Sequence, residues 1–378
     1  MFNFVILRFN SFSQLKPTYP MPNLLKISLI TIAGLLLVYV GISIISLLAE
    51  PSQNSNLYET HDGTAVVITG AAARIVQEVA LLEQLQQAGW LKNVCFISGA
   101  SSGALNTVML NAILTHKFSW QRYRQLLFGL KSDDVFSREG NSLPFDTNPL
   151  KNLLTSVICD SLGYDSIGNL PLASSISVTD LEFIPLSLKT SRLSNRKINQ
   201  ESKPGLNLVD VLMASTAIPV LFPSVRLRPS PTIPSANFID GGVSEDHIPY
   251  RAVLQFEKYR KMNVDTLIIV SRKCDTKLQI DTEMRQLGVK EKDRILLEKA
   301  GIRLEDLAKD GFIKQMKELK KFYPDLAAHT YVYIPDFQQN FRMMDFGRME
   351  EQYDITAKWA ESHSPVPLDE YLTSVDNQ

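Results

Sequence analysis

Residues 94–114 decide how this chain is read: Val94-Cys95-Phe96-Ile97, then Ser98-Gly99-Ala100-Ser101-Ser102-Gly103, then a run rich in Ala, Leu, Val and Met from Ala104 to Leu114. The first piece is a short apolar strand-like run and the last has the composition and length of a helix. Between them lies a GxSxG pattern centred on Ser101, flanked by Gly99 and Gly103. In so tight a strand-to-helix turn, side chains two residues before and after the serine would collide, so glycines flank it and the hydroxyl is pushed out of the sheet edge. The helix that follows brings orphan N–H groups and the positive end of its dipole to the same place. Ser101 is therefore the candidate nucleophile. A plain Gly/Ser turn is the competing reading, and the strand and helix flanks carry the weight against it.

Outward from this stretch, short apolar runs alternate with longer amphipathic ones. Strands are expected at 65–68, 94–97, 175–178, 238–239, 266–270 and 330–334, with helical segments between them, including one that places Val79, Leu82 and Leu85 at spacings of three. Strand, helix, strand in this order predicts an α/β fold with a mainly parallel central sheet and helices on both faces. Residues 226–237 hold three prolines and are read as a loop, and one domain is expected over 63–370. With 378 residues, 45% of them apolar and 21% charged, the chain can bury an ordinary core, which excludes disordered, collagenous and disulfide-scaffold classes. Its 39 Lys and Arg against 40 Asp and Glu leave no basic field for nucleic acid. The three cysteines show neither a CxxC pattern nor metal-ligand spacing, so no structural zinc and no disulfide framework are expected, and the acyl-ester hydrolase reading given below calls for no metal and no cofactor.

The N-terminal part divides into a short segment 1–26, a run of 23 uncharged residues at 27–49, and a polar linker at 50–62. At 1.5 Å per residue the run reaches roughly 30 Å, about one hydrocarbon thickness, which predicts a transmembrane anchor. A cleaved signal peptide fits less well, because its apolar region is typically about 7–15 residues long and Ser46-Leu47-Leu48-Ala49 is a poor cleavage site. Arg8, Lys16 and Lys26 precede the run, whereas Glu50, Glu59 and Asp62 follow it. That bias places the N-terminus in the cytoplasm and the bulk of the chain on the far side. A start at Met21 would leave only Lys26 and the amino terminus as inner charges.

A serine nucleophile needs a base. Asp240-Gly241-Gly242 ends the apolar run 238–239, where open α/β sheets present functional groups; a simple turn is the alternative. Of the five histidines, His329 and His363 come late enough for the chain order of a Ser-Asp-His triad, although neither sits in a marked pattern.

Taken together, these residues resemble the patatin-like phospholipases. Ile68-Thr69-Gly70-Ala71-Ala72-Ala73-Arg74 with Val79-Ala80-Leu81-Leu82 is similar to that family's glycine-rich oxyanion segment and following helix, and GASSG at 99–103 to its elbow. Asp146-Thr147-Asn148-Pro149-Leu150, Val178-Thr179-Asp180-Leu181, Ala214-Ser215-Thr216-Ala217-Ile218-Pro219 and Asp240-Gly241-Gly242 match further family segments in order. The resemblance implies a serine acyl hydrolase with a Ser101–Asp240 dyad, oxyanion donors near Gly70, Ala71 and Ala72, and a phospholipid or other acyl-ester lipid as substrate at a membrane. Arg74 would orient the oxyanion loop or meet a lipid phosphate, unless it is a solvated first-turn residue.

Two departures stand out. Ala71, Ala72 and Ile75 occupy positions where glycines are expected, and if those positions need φ > 0 each alanine costs about 1 kcal/mol and displaces a donor. After Gly242, the stretch Val243-Ser244-Glu245-Asp246-His247-Ile248-Pro249 is longer than the family pattern and more acidic. A pseudoenzyme that binds lipid or a partner, and a histidine-assisted α/β esterase, therefore stay open as alternatives. Lys314, Lys317, Lys320 and Lys321 lie opposite Phe312, Met316, Leu319 and Phe322 on a helical wheel, which fits either a core-facing helix with a solvated basic face or a surface for anionic lipid.

Overall fold

The computed structural model describes residues 62–138, 143–183, 186–228 and 236–377. The predicted anchor at 27–49, with the segments around it at 1–26 and most of 50–62, lies outside them. Among the described residues no helix is long and apolar enough to cross a membrane.

Nine strands form one sheet: β1 (Gly63–Ile68), β2 (Val94–Ala100), β3 (Ser174–Phe183), β4 (Leu186–Ser194), β5 (Val225–Leu227), β6 (Ala236–Asp240), β7 (Val264–Val270), β8 (Thr330–Tyr333) and β9 (Val366–Pro367). The centre runs β3-β2-β1-β7-β8 and is parallel throughout. Antiparallel strands close it on both sides.

Successive residues of β1 enter opposite layers, as the pleat requires. Ala65 and Val67 pack with Phe256, Phe312, Met316 and Leu319 on one face, and Val66 and Ile68 pack with Leu81, Leu85 and Leu110 on the other. Both faces are thus covered by helices, which is why the central strands read as unbroken apolar runs.

The 226–237 loop was only partly a loop. Its ends, with the residue before it, form the antiparallel pair β5–β6, whose short edge strands carry too few apolar residues to stand out. The helix Lys309–Phe322 buries Phe312, Met316 and Leu319 as expected, whereas Phe322 is 60% exposed at its end. Lys317 and Lys320 pair with Asp376 and Asp369 of the helix Leu368–Asp376.

The register of β3 positions the site. β4 covers one edge of β3 from Ser175 to Phe183, so β2 and β6 share the other edge. β2 runs parallel to β3 and ends with Ala100 opposite Ser177; β6 runs antiparallel and ends with Asp240 opposite Val178. The carboxyl ends of β2 and β6 therefore meet head-on across two consecutive residues of β3.

Candidate active site

Ser101 stands between β2 and the helix Ser102–Leu114 with φ 55° and ψ −131°, a conformation that strains any non-glycine residue. The glycines around it answer to backbone contacts. A Cβ on Gly99 would lie 2.3 Å from the Gly103 carbonyl oxygen, and one on Gly103 would lie 2.2 Å from the Thr69 carbonyl at the end of β1. The turn is therefore wedged against its own far end and against the neighbouring strand.

Residues 214–219 buttress this arrangement. The Ser101 amide donates to Ser215 Oγ at 3.0 Å, and that hydroxyl donates to the Ser177 carbonyl at 2.8 Å. The Asp240 amide donates to the Ala217 carbonyl at 3.0 Å, and Thr179 Oγ1 donates to the Asp240 carbonyl at 2.9 Å. The Ala-Ser-Thr-Ala-Ile-Pro stretch thus ties the end of β2 to the end of β6, a role its sequence did not disclose.

Asp240 is 4% exposed. Burial pushes its carboxyl up to about 6, opposed by hydrogen bonding from the Ser101 side chain and from the Gly242 amide, which donates to Asp240 Oδ1 at 2.8 Å. A carboxylate in this range is charged at neutral pH yet more basic than an exposed one, which suits it to take a proton from a hydroxyl.

The segment 68–74 approaches so closely that a Cβ on Gly70 would meet Ser101 Cβ at 2.8 Å. The two alanines behave differently. Ala71 has φ −137°, which any residue adopts, while Ala72 sits at φ 49° and carries the expected strain. The Ala71 amide is occupied, donating to Ser102 Oγ at 2.7 Å, and the Ala73 amide donates to the Met343 carbonyl at 2.8 Å. Among the described residues the amides of Gly70 and Ala72 have no acceptor and remain available, together with the first-turn amide of Ser102.

Arg74 is 3% exposed and so is not a solvated first-turn residue. Its Nη1 reaches both oxygens of Asp275 at 2.5 Å, and its Nε donates to the Ala71 carbonyl at 3.4 Å. This pair fixes the loop from below. Behind the loop, Glu78 is fully buried and accepts from Thr69 Oγ1 and Asn106 Nδ2 at 3.1 and 2.9 Å. Burial pushes it up to about 8, opposed by the nearby Arg272, by these hydrogen bonds and by Arg74.

Two cavities of about 80 Å³ each open on Ser101 and share Ala72, Ser101 and Ile218 in their walls. The first holds Asp240, Arg74, Arg272, Asp275 and His247 together with Ile280, Met284 and Met343. The second is apolar apart from the hydroxyls of Ser101, Ser102 and Thr216, with Leu105, Leu127, Phe222 and Phe346 among its walls. Ligand sites run to roughly 300–1,000 Å³, so each of these cavities is small beside them.

His329 ends the helix Pro324–Ala328 and lines a separate groove, and His363 is stacked on Trp359 at 4.2 Å. Neither reaches the cavities at Ser101. The histidine that does is His247, from the acidic stretch after Gly242; burial holds it down at about 4. In that stretch, Asp246 is fully buried, paired with Arg192 at 2.8 Å and accepting from Ser177 Oγ at 2.7 Å. Among the described residues no His, Cys, Asp or Glu cluster could hold a metal, and all three cysteines are free.

The model of the family described as patatin-like phospholipase matches residues 66–254, half of the chain. Among solved structures the chain is similar to VipD from Legionella pneumophila, at 13% identity and TM-score 0.38, covering 81% of this chain and 67% of that one. It is also similar to the type III effector protein ExoU, at 12% identity and TM-score 0.38, covering 85% of this chain and 54% of that one. No curated protein sequence matches it.

Proposed function

The chain belongs to the patatin-like phospholipase family, and on that premise we propose that it hydrolyses carboxylic ester bonds of phospholipids or related acyl-ester lipids through a Ser101 acyl-enzyme with Asp240 as general base. The observation that carries this reading is the head-on meeting of β2 and β6 on one edge of β3, which brings a strained serine to a buried carboxylate.

Ser101 Oγ attacks the ester carbonyl as its proton passes to Asp240. The Gly70, Ala72 and Ser102 amides face the oxyanion that forms. When the tetrahedral intermediate collapses, the C–O bond to the alcohol breaks and Asp240 returns the proton to the leaving oxygen. A water then attacks the acyl-enzyme, losing its proton to Asp240, and Ser101 recovers that proton as the fatty acid departs. The apolar cavity suits the acyl chain.

The amides left open at Gly70 and Ala72 favour an active enzyme over a pseudoenzyme, and the positions of His329 and His363 count against a histidine-assisted one. The uncharged run 27–49 supports a membrane-anchored form with a cytoplasmic N-terminus and the catalytic domain on the far side. The test is covalent labelling by a fluorophosphonate together with ester hydrolysis. Wild type is expected to label, whereas Ser101→Ala should neither label nor hydrolyse, with a loss on the order of a thousandfold or more in kcat. Labelling of the Ser101→Ala protein, or none of wild type, would overturn the proposal.

A further inference from the structure

The first cavity contains a cation that the reaction scheme leaves unused. Arg272 follows Ser271 at the carboxyl end of β7, beside the oxyanion segment: the Thr69 amide donates to the Val270 carbonyl at 3.2 Å, and the Thr69 and Ser271 hydroxyls are hydrogen-bonded at 2.7 Å. Arg272 is 4% exposed, and its guanidinium lies over the Phe312 ring at 5.1 Å. Its hydrogen bonds among the described residues are two long ones, both 3.4 Å, from Nη1 to Ser271 Oγ and from Nη2 to the Leu307 carbonyl. Among the described residues its Nε has no partner. The nearest carboxylate among the described residues, Asp275, is already held by Arg74 and approaches Arg272 to 3.9 Å. His247, 6% exposed in the same wall, leaves Nδ1 without a partner as well.

A buried guanidinium whose ion pair, among the described residues, is one long contact to a carboxylate shared with Arg74 is costly, and its fork of donors matches the oxygens of a phosphate. We infer that Arg272, with His247, forms an anion subsite beside Ser101 that takes a phosphate carried on the alcohol side of the substrate ester. Resting on the reading of Ser101 as acyl-transfer nucleophile, this assigns direction to the two cavities. The ester carbonyl sits at their junction, the acyl chain in the apolar cavity and the glycerophosphate portion against Arg272. Arg74, committed to Asp275, positions the loop and leaves the anion to Arg272. Met284 and Met343 line the same cavity and can repack as the headgroup enters.

The test compares 1-acyl-glycerol 3-phosphate with monoacylglycerol of the same chain length, using the full-length protein in mixed micelles. Wild type is expected to favour the phosphate ester in kcat/KM, and Arg272→Gln should lower the ratio of the two by about tenfold or more while Arg272→Lys retains most of it. Equal loss on both esters in Arg272→Gln, or no change in the ratio, would overturn the subsite. Glycerol 3-phosphate reads the subsite without turnover: it should raise the unfolding temperature of wild type by about 2 °C and leave Arg272→Gln unmoved. Stabilisation of both proteins alike would overturn the assignment to Arg272, and inorganic phosphate acting as well as glycerol 3-phosphate would overturn the headgroup assignment in favour of free phosphate. If wild type hydrolyses neither ester yet glycerol 3-phosphate stabilises only the protein that keeps Arg272, the hydrolase reading fails and the subsite stands. Hydrolysis of both esters at equal efficiency, with no stabilisation, reverses that result.

Discussion

The elbow wall of the reaction cavity, built from residues 99–103, 215–219 and 240–242, is fixed by backbone: glycines pressed against carbonyls, amides tied to Ser215 and Ala217, and strand ends set by the register of β3. The facing wall, from Arg272 through Leu307 with Met343, is fixed by side chains: the Arg74–Asp275 pair, the Arg272–Phe312 stack, and the apolar residues Ile280, Met284 and Ile302. The family match covers the first wall and stops short of the second. On the proposed function, the difference separates what the chemistry requires from what the substrate requires. A nucleophile and its base tolerate little displacement and are placed by sterics that few sequences satisfy, whereas a binding wall can be rebuilt from many side chains.

The largest break should come from touching the backbone-set wall. Gly103→Ala places a Cβ against the Ile68 carbonyl of β1 and the Thr69 carbonyl just after it, neither of which can yield without moving the strand. A loss of more than about 4 kcal/mol is expected, seen as a protein that fails to show a cooperative thermal transition. Near-normal stability would mean that the elbow is not wedged.

On the facing wall the largest effect is expected from Asp275→Ala, which leaves Arg74 buried without its carboxylate. The expected loss is about 3–5 kcal/mol by urea unfolding, with weaker catalysis as the loop above Arg74 loosens. A change under about 1 kcal/mol would show that water replaces the partner.

The two loop alanines supply the finest comparison. Ala72→Gly should stabilise by about 1 kcal/mol because it relieves φ 49°, while Ala71→Gly should destabilise by roughly 0.5–1 kcal/mol through added freedom in the unfolded chain. Unfolding midpoints that shift the same way for both would contradict the opposite backbone conformations of the pair.

How much of this was legible in the sequence follows the same division. β1, β2, β7 and β8 stood out because parallel strands buried on both faces read as apolar runs. The elbow stood out because sterics force glycine at fixed offsets from the serine. β4 and the pairing of β5 with β6 did not, since edge strands are short or half polar. β3 was legible only in part: Ser174, Ser175, Ser177 and Thr179 are all buried, and Ser177 and Thr179 hydrogen-bond to groups around the site where a core strand would carry valines. The strained alanine was foreseen as a condition, and only the backbone could say that Ala72 meets it and Ala71 does not. Arg74 was visible as a residue, but its partner Asp275 lies 201 positions away and no local pattern links them. Arg272 and His247 were hidden for the same reason: a cavity wall assembled from distant segments leaves no periodicity.

The central claim is that burial between the ends of β2 and β6 makes Asp240 the base for Ser101, and the pH dependence of kcat/KM for an acyl ester tests it most directly. The raised carboxyl favours its protonated form in the folded state, so Asp240's contribution to stability is fully present below about pH 4 and is lost as pH rises through about 6, while the active, charged base appears over the same interval. Wild-type kcat/KM should therefore climb through an apparent pKa of about 6 to a plateau. Asp240→Asn should lose that limb and about a thousandfold or more in rate, and at pH 7 should be more stable than wild type by on the order of 2–3 kcal/mol. An Asp240→Asn enzyme that keeps both its rate and the limb near pH 6, with the limb vanishing instead in His247→Ala, would contradict the claim and make histidine the base.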